Sequence, residues 1–163
     1  MRREIPFDES GSAIRFVGRK VTGQHEGRFE RFRGSVQLVD DDLARSSVRV
    51  TVAMASVTPD IAKLSAHLRS SDFLDVERFP EATFVSTRVQ PTGPTALVTG
   101  DLTLHGVTKR ITFPATIQVS PAEFAMTGDV RLRRQDFGIT YQGMADDLIQ
   151  DEVTLTLSVK ARP

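Results

Sequence analysis

The chain has 163 residues, 39% hydrophobic and 26% charged, and its 21 Lys and Arg balance 21 Asp and Glu to a formal net charge of zero. That size suits a single domain over 1–163, because about 150 residues bury roughly two-thirds of the unfolded chain's surface. The balance of charge argues against a nucleic-acid binder, the absence of cysteine excludes disulfides and thiolate chemistry, and no apolar run approaches the roughly 18 residues of a membrane-spanning helix.

The chain opens with Met1-Arg2-Arg3-Glu4-Ile5-Pro6-Phe7, which has two arginines but no apolar h-region, so it is not expected to be a signal peptide. A periplasmic location follows if a leader has been removed, and a cytoplasmic one otherwise. Period-two alternation then begins with Ile14 and Phe16 set against Arg15 and Arg19. A second run holds Phe29, and a third holds Val36 and Leu38 and stops at Asp40-Asp41-Asp42. Val48, Val50, Val52 and Met54 form a fourth stripe against Arg49 and Thr51.

The pattern next changes period. Thr58 suits an N-cap, Pro59 the first helical position and Asp60 the positive end of a helix dipole. Ile61, Leu64 and Leu68 recur at helical spacing. Ser70 or Ser71 caps a second short turn through Asp72-Phe73-Leu74-Asp75-Val76, and Phe79-Pro80 ends it, since proline drives its predecessor out of the α region. Strands resume at Phe84 and run to Pro91-Thr92-Gly93-Pro94. Val98, Leu102 and Leu104 lead to a turn at His105-Gly106-Val107-Thr108, followed by Ile111, Phe113, Ile117 and Val119. Phe124, Met126, Val130 and Leu132 alternate next, and Val153, Leu155, Leu157 and Val159 close the chain.

Some eight or nine strands on short connections favour antiparallel pairing, and closing the sheet removes its exposed edges. The expected fold is all-β: an antiparallel eight-stranded barrel with a short helical insert after the fourth strand. Such a barrel is either filled by its own side chains or holds one small ligand.

Chemistry-bearing residues are sparse. His25, His67 and His105 fall in separate elements without metal-ligand spacing, so His67 is read as packing or capping the insert and His105 as a turn residue. Serine catalysis lacks its Gly-x-Ser-x-Gly elbow, and Ser70-Ser71 are better used as caps. Asp146-Asp147 and Asp151-Glu152 lack the order of a calcium loop and read as solvated turns. No phosphate loop or dinucleotide fingerprint is present, and no metal or cofactor is expected.

Aromatic usage is more telling: ten Phe, one Tyr and no Trp. Phe16, Phe84, Phe113, Phe124 and Met126 on strand faces are the expected cavity walls, with Phe73 and Phe137 at the rim. Met54, Met126 and Met144 add adaptable apolar surface, and Arg131, Arg133 and Arg134 are candidates to steer a polar head group.

Three segments together resemble the YceI-like family of lipocalin-fold, polyisoprenoid-binding proteins. His67-Leu68-Arg69-Ser70-Ser71-Asp72-Phe73-Leu74-Asp75-Val76-Glu77-Arg78-Phe79-Pro80 is similar to the family's HLKSxDFFDVxKYP block, with Thr83-Phe84 and Ser86-Thr87 after it. Val98 to Lys109 is similar to the VxGDLTLHGVTK hairpin, and Asp136-Phe137-Gly138-Ile139 with Gly143 to Val153 supplies the third. Leu74 stands where Phe is usual and Phe79 where Tyr is usual. The resemblance implies a lipocalin-like barrel that holds a long isoprenoid lipid or quinone without catalysis, homodimers, and frequent export to the periplasm. The alternatives are an enzyme acting on a lipid with His67 or His105 as general base, and a filled structural or interaction module.

Overall fold

The computed structural model describes residues 2–144 and 147–163. Alternation becomes strand almost throughout: β1 (Arg2–Asp8), β2 (Ala13–Lys20), β3 (Gly23–Phe29), β4 (Phe32–Val39), β5 (Asp42–Ala53), β6 (Val57–Pro59), β7 (Glu81–Pro91), β8 (Ala96–Leu104), β9 (Val107–Val119), β10 (Phe124–Arg133), β11 (Gly143–Met144) and β12 (Asp147–Ala161). The sheet runs β1-β4-β5-β7-β8-β9-β10-β12-β2-β3-β6 with every ladder antiparallel, and β11 pairs with β12 beside it.

Twelve strand segments replace the eight expected, and the reason is bending. β3 passes through Glu30-Arg31 into β4, while β5 passes through a 3₁₀ turn at Met54–Ser56 into β6. Across this break the Ala53 N–H donates to Arg31 O at 3.0 Å and the Glu30 N–H to Ser56 O at 3.2 Å, so the β3–β6 ladder continues the β4–β5 hairpin. Counting each bent pair as one stave leaves eight around a lipocalin-like barrel, with β1 laid along β4 as a ninth. Pro6 is tolerated because β1 ends the run of strands, where a missing N–H on the outer side loses no ladder bond.

Curl comes from register shifts in β4–β5, β7–β8 and β12–β2, and from glycines that lie under phenyl rings. Phe16 faces Gly27, Phe7 faces Gly34, and the Phe84 ring lies against Gly100. A Cβ built on Gly34 would sit 2.3 Å from Phe7 Cζ and 2.4 Å from the Arg49 carbonyl oxygen, so only glycine admits the ring there. Three large rings are thereby laid flat against the barrel wall.

The insert differs from its sequence reading at its start. Thr58 and Pro59 do not begin a helix; they pair with Arg28 and Gly27 in β6, because the edge of β3 offers backbone partners that a lone first turn lacks. Helical structure comes later and is shorter, as a 3₁₀ turn at Ala62–Leu64 and then α1 (Ser65–Arg69). Ser70 does cap the next turn: its hydroxyl accepts from the Asp72 N–H at 3.3 Å, and its carbonyl accepts from Phe73 and Asp75. Between β8 and β9, His105 and Gly106 both take positive φ (55° and 74°), as a two-residue hairpin of the I′ type requires.

Candidate ligand cavity

Inward-facing residues of this barrel enclose a cavity of about 420 Å³, within the range of small-molecule sites. Phe16, Phe84, Phe113 and Met126 line its walls, with the Phe84 and Phe113 ring centroids 5.8 Å apart. The β5 stripe of Val48, Val50 and Val52 lines it too, as do Leu155 and Leu157 on β12. Met54, Met126 and Met144 all reach it from different elements. Phe137 also lines the cavity, but at 2% exposure it lies beneath the rim rather than on it.

Phe124 is a correction. It is fully buried but does not face the cavity; it pairs with Val119 and Ala161 where those strands end, away from the insert, and there the barrel is filled by its own side chains.

The insert covers one side of the cavity mouth with Leu64, Leu68, Phe73 and Leu74. His67 belongs to the same cover: its ring meets Phe73 edge-on at 4.8 Å and Tyr141 at 5.2 Å, and Phe73 meets Tyr141 at 5.3 Å. Its Nε2 lies 2.9 Å from Asp72 Oδ2, a contact that holds the ring in place against Phe73 and Tyr141. Replacing His67 by Ala removes one corner of this aromatic triad and a half-exposed hydrogen bond to Asp72. The expected loss is about 1 kcal/mol in urea denaturation, since an edge-on pair contributes roughly 0.5–1.5 kcal/mol and an exposed pair little. Unchanged stability would show the triad is incidental.

His105 stands away from the cavity. Its Nδ1–H donates to Phe137 O at 3.0 Å and its ring packs on Phe79 at 4.6 Å, leaving Nε2 buried without a partner among the described residues. These contacts tie the β8–β9 hairpin to the segment that carries Phe137.

No Asp or Glu is among the described cavity-lining residues, whereas Arg19, Lys20, His25, His67 and Arg134 are. His25 Nδ1 lies 3.2 Å from Asp60 Oδ1. Partial desolvation raises the Asp60 carboxyl, but backbone hydrogen bonding at Glu26 and the bond and charge of His25 outweigh it and hold the group below its usual 3.8.

The three candidate head-group arginines separate. Arg131 is exposed and pairs with Glu152 at 3.6 Å, and Arg133 is exposed; neither reaches the cavity. Arg134 is 5% exposed and donates to three carbonyls: Nε to Gln150 at 3.0 Å, Nη1 to Ile139 at 3.0 Å and Nη2 to Ile149 at 3.1 Å. Burial pushes its guanidinium down from the ordinary value, while the charge of Asp151 opposes that shift. Asp146 lies outside the described residues. Asp151 accepts from the Gln135 N–H at 2.9 Å, so it serves as a local cap rather than a free turn carboxylate.

Sequence reasoning passed over Phe7, Tyr141 and Ile139, which all line the cavity. The alternation of Ile5 and Phe7 could have found the first; Tyr141 and Ile139 sit in an aperiodic segment without such a signal.

A closed antiparallel sheet around an apolar, partly covered cavity defines a lipocalin-like barrel. A family model for the YceI-like domain matches residues 6–161, and the chain belongs to that family. The UPF0312 protein of Pseudomonas putida strain W619 is 37% identical over 166 residues, covering 95% of this chain and 86% of the relative. Among solved structures, Burkholderia cenocepacia BcnA superposes with a TM-score of 0.87 at 26% identity, over 95% of this chain and 99% of that one. A domain from Saccharophagus degradans, described as polyisoprenoid binding and implicated in plant cell wall breakdown, shares the fold with a TM-score of 0.77 at 17% identity, over 98% of this chain and 97% of its own.

Proposed function

We propose that this protein binds a long-chain isoprenoid lipid, such as a polyprenyl compound or quinone, and carries or stores it without chemical change. The observation that supports this most is the composition of the cavity. Phenylalanine, leucine, valine and methionine surround it, and its charged lining residues are concentrated around the mouth segments. An apolar chain gains about 0.8 kcal/mol per buried CH₂, so ten such groups outweigh much of the cost of ordering it. Phe16, Phe73, Phe84, Phe113, Met126 and Phe137 are the contacts we assign to it, and its head group faces the bases at the mouth. The polyisoprenoid-binding description of the Saccharophagus domain points the same way. His105 of the enzyme alternative is not on the cavity lining, and His67 stands in the aromatic cover with Phe73 and Tyr141, which favours binding over catalysis.

The test is mass spectrometry of an organic extract of the purified protein, with uptake of a polyprenyl lipid by delipidated protein alongside. A prenyl-chain species near one per chain is expected. An extract without lipid, together with no uptake, would sink the proposal.

A further inference from the structure

The cavity is blind, and it ends in the same way on strand after strand. On β10 Met126 lines it, while Phe124, the next inward residue away from the insert, does not. On β12 the lining stops between Val159 and Ala161, which pair with Met126 and Phe124. It stops between Phe113 and Ala115 on β9, and between Phe7 and Ile5 on β1. The four residues beyond the stop are each 3% exposed or less, and Phe124 is the largest of them. Polar side chains near that depth are satisfied within the wall. Ser12 Oγ accepts from the Lys160 N–H at 2.9 Å, and Ser86 Oγ from the Val48 N–H at 2.8 Å. Among the described residues, the buried side-chain polar atom left without a partner is His105 Nε2, which lies off the lining. The floor is therefore dry and apolar, while the charged lining residues stand at the other end.

We propose that this floor is a length stop: an apolar tail enters first, and Phe124, behind Met126 and Val159, sets how many carbons the barrel encloses. The inference rests on the carrier reading and adds which part of the guest is held. A volume of about 420 Å³ lies toward the lower end of the range for sites that enclose a drug-sized guest. A longer guest keeps its head and its excess chain at the mouth. Each CH₂ taken out of water tightens binding about fourfold, whereas a carbon left outside gains almost nothing. Affinity therefore climbs with chain length until the tail meets the floor, and then levels. Phe124 is a positioning residue, since it acts through Met126 and Val159 without touching the guest. Met126 is unbranched and swings readily, so space freed behind it at Phe124 becomes part of the cavity. Val159 faces the guest itself, and a larger side chain there raises the floor.

The experiment titrates the delipidated full chain with straight-chain primary alcohols, lengthened one carbon at a time, by displacement of a fluorescent apolar dye. Wild type is compared with Phe124→Ala and Val159→Phe. The wild-type Kd is expected to fall about fourfold per carbon and then level at one chain length. Phe124→Ala should carry the fall about two carbons further, ending about fifteenfold tighter on the longest alcohols. Val159→Phe should level about two carbons earlier. A purely structural role for Phe124 would weaken all chain lengths alike and leave the break where it was. Circular dichroism checks each fold, and Val159→Phe decides alone where Phe124→Ala does not fold. A fall with no break, as for a chain that threads out between strands, overturns the length stop and keeps the carrier. So does a break that the folded variants leave in place. A protein that binds no alcohol and whose extract holds no lipid removes the carrier, and the length stop with it.

Discussion

Replacing Arg134 by Met is expected to cost about 3 kcal/mol of folding stability, because its guanidinium donates to three backbone carbonyls and a buried acceptor left unsatisfied costs about 1–3 kcal/mol. The methylene stem keeps most of its packing, so the loss isolates the guanidinium. That group is the shared donor for the carbonyls of Ile139, Ile149 and Gln150, which belong to the 3₁₀-to-loop segment and to the start of β12. Without it, buried carbonyls lose their donor, at about 1–3 kcal/mol each where water cannot replace it. Arg134→Lys should recover only part of the loss, because an ammonium lacks the planar fork that reaches three acceptors. Urea denaturation of the three proteins checks the series. Stability of the Met variant within about 0.5 kcal/mol of wild type would show that water takes over the guanidinium's role.

The second large effect falls at Gly34. Its Ala variant forces a methyl to within 2.4 Å of the Arg49 carbonyl oxygen, a backbone atom that cannot rotate away, and into the Phe7 ring. A loss of about 3 kcal/mol is expected, at the upper end of ordinary overpacking. Gly18→Ala supplies the internal control, because nothing lies within 4 Å of the place its methyl would take and its φ is not positive. That change should be neutral or stabilise by about 0.4–1 kcal/mol through the unfolded chain. Equal losses at both sites, measured by thermal and urea unfolding, would refute the steric account.

The strand stripes were legible because each depends only on alternation: Val48, Val50 and Val52 face the cavity as their spacing demands. Alternation gives the face of a strand but not the depth along the barrel, and for that reason Phe124 shares the inward face of Met126 yet packs in the filled end. The insert was legible as an interruption but not at its first residues, where the β3 edge overrode the capping signals of Thr58 and Pro59. Arg134 looked like its neighbours Arg131 and Arg133. Only the fold, by bringing three carbonyls around it, separates a structural cation from solvated ones.

The bend that divides two staves has a mechanical consequence. Ten residue pairs join β10 to β12, whereas three join β3 to β6, beyond the break at Glu30-Arg31. Resistance to opening is therefore uneven around the circumference, with a short seam beside the insert, next to the His25–Asp60 pair. Between β9 and β10 the ladder likewise stops at Gly128↔Ala115, so a guest too bulky for the mouth meets least opposition from the wall at these two places.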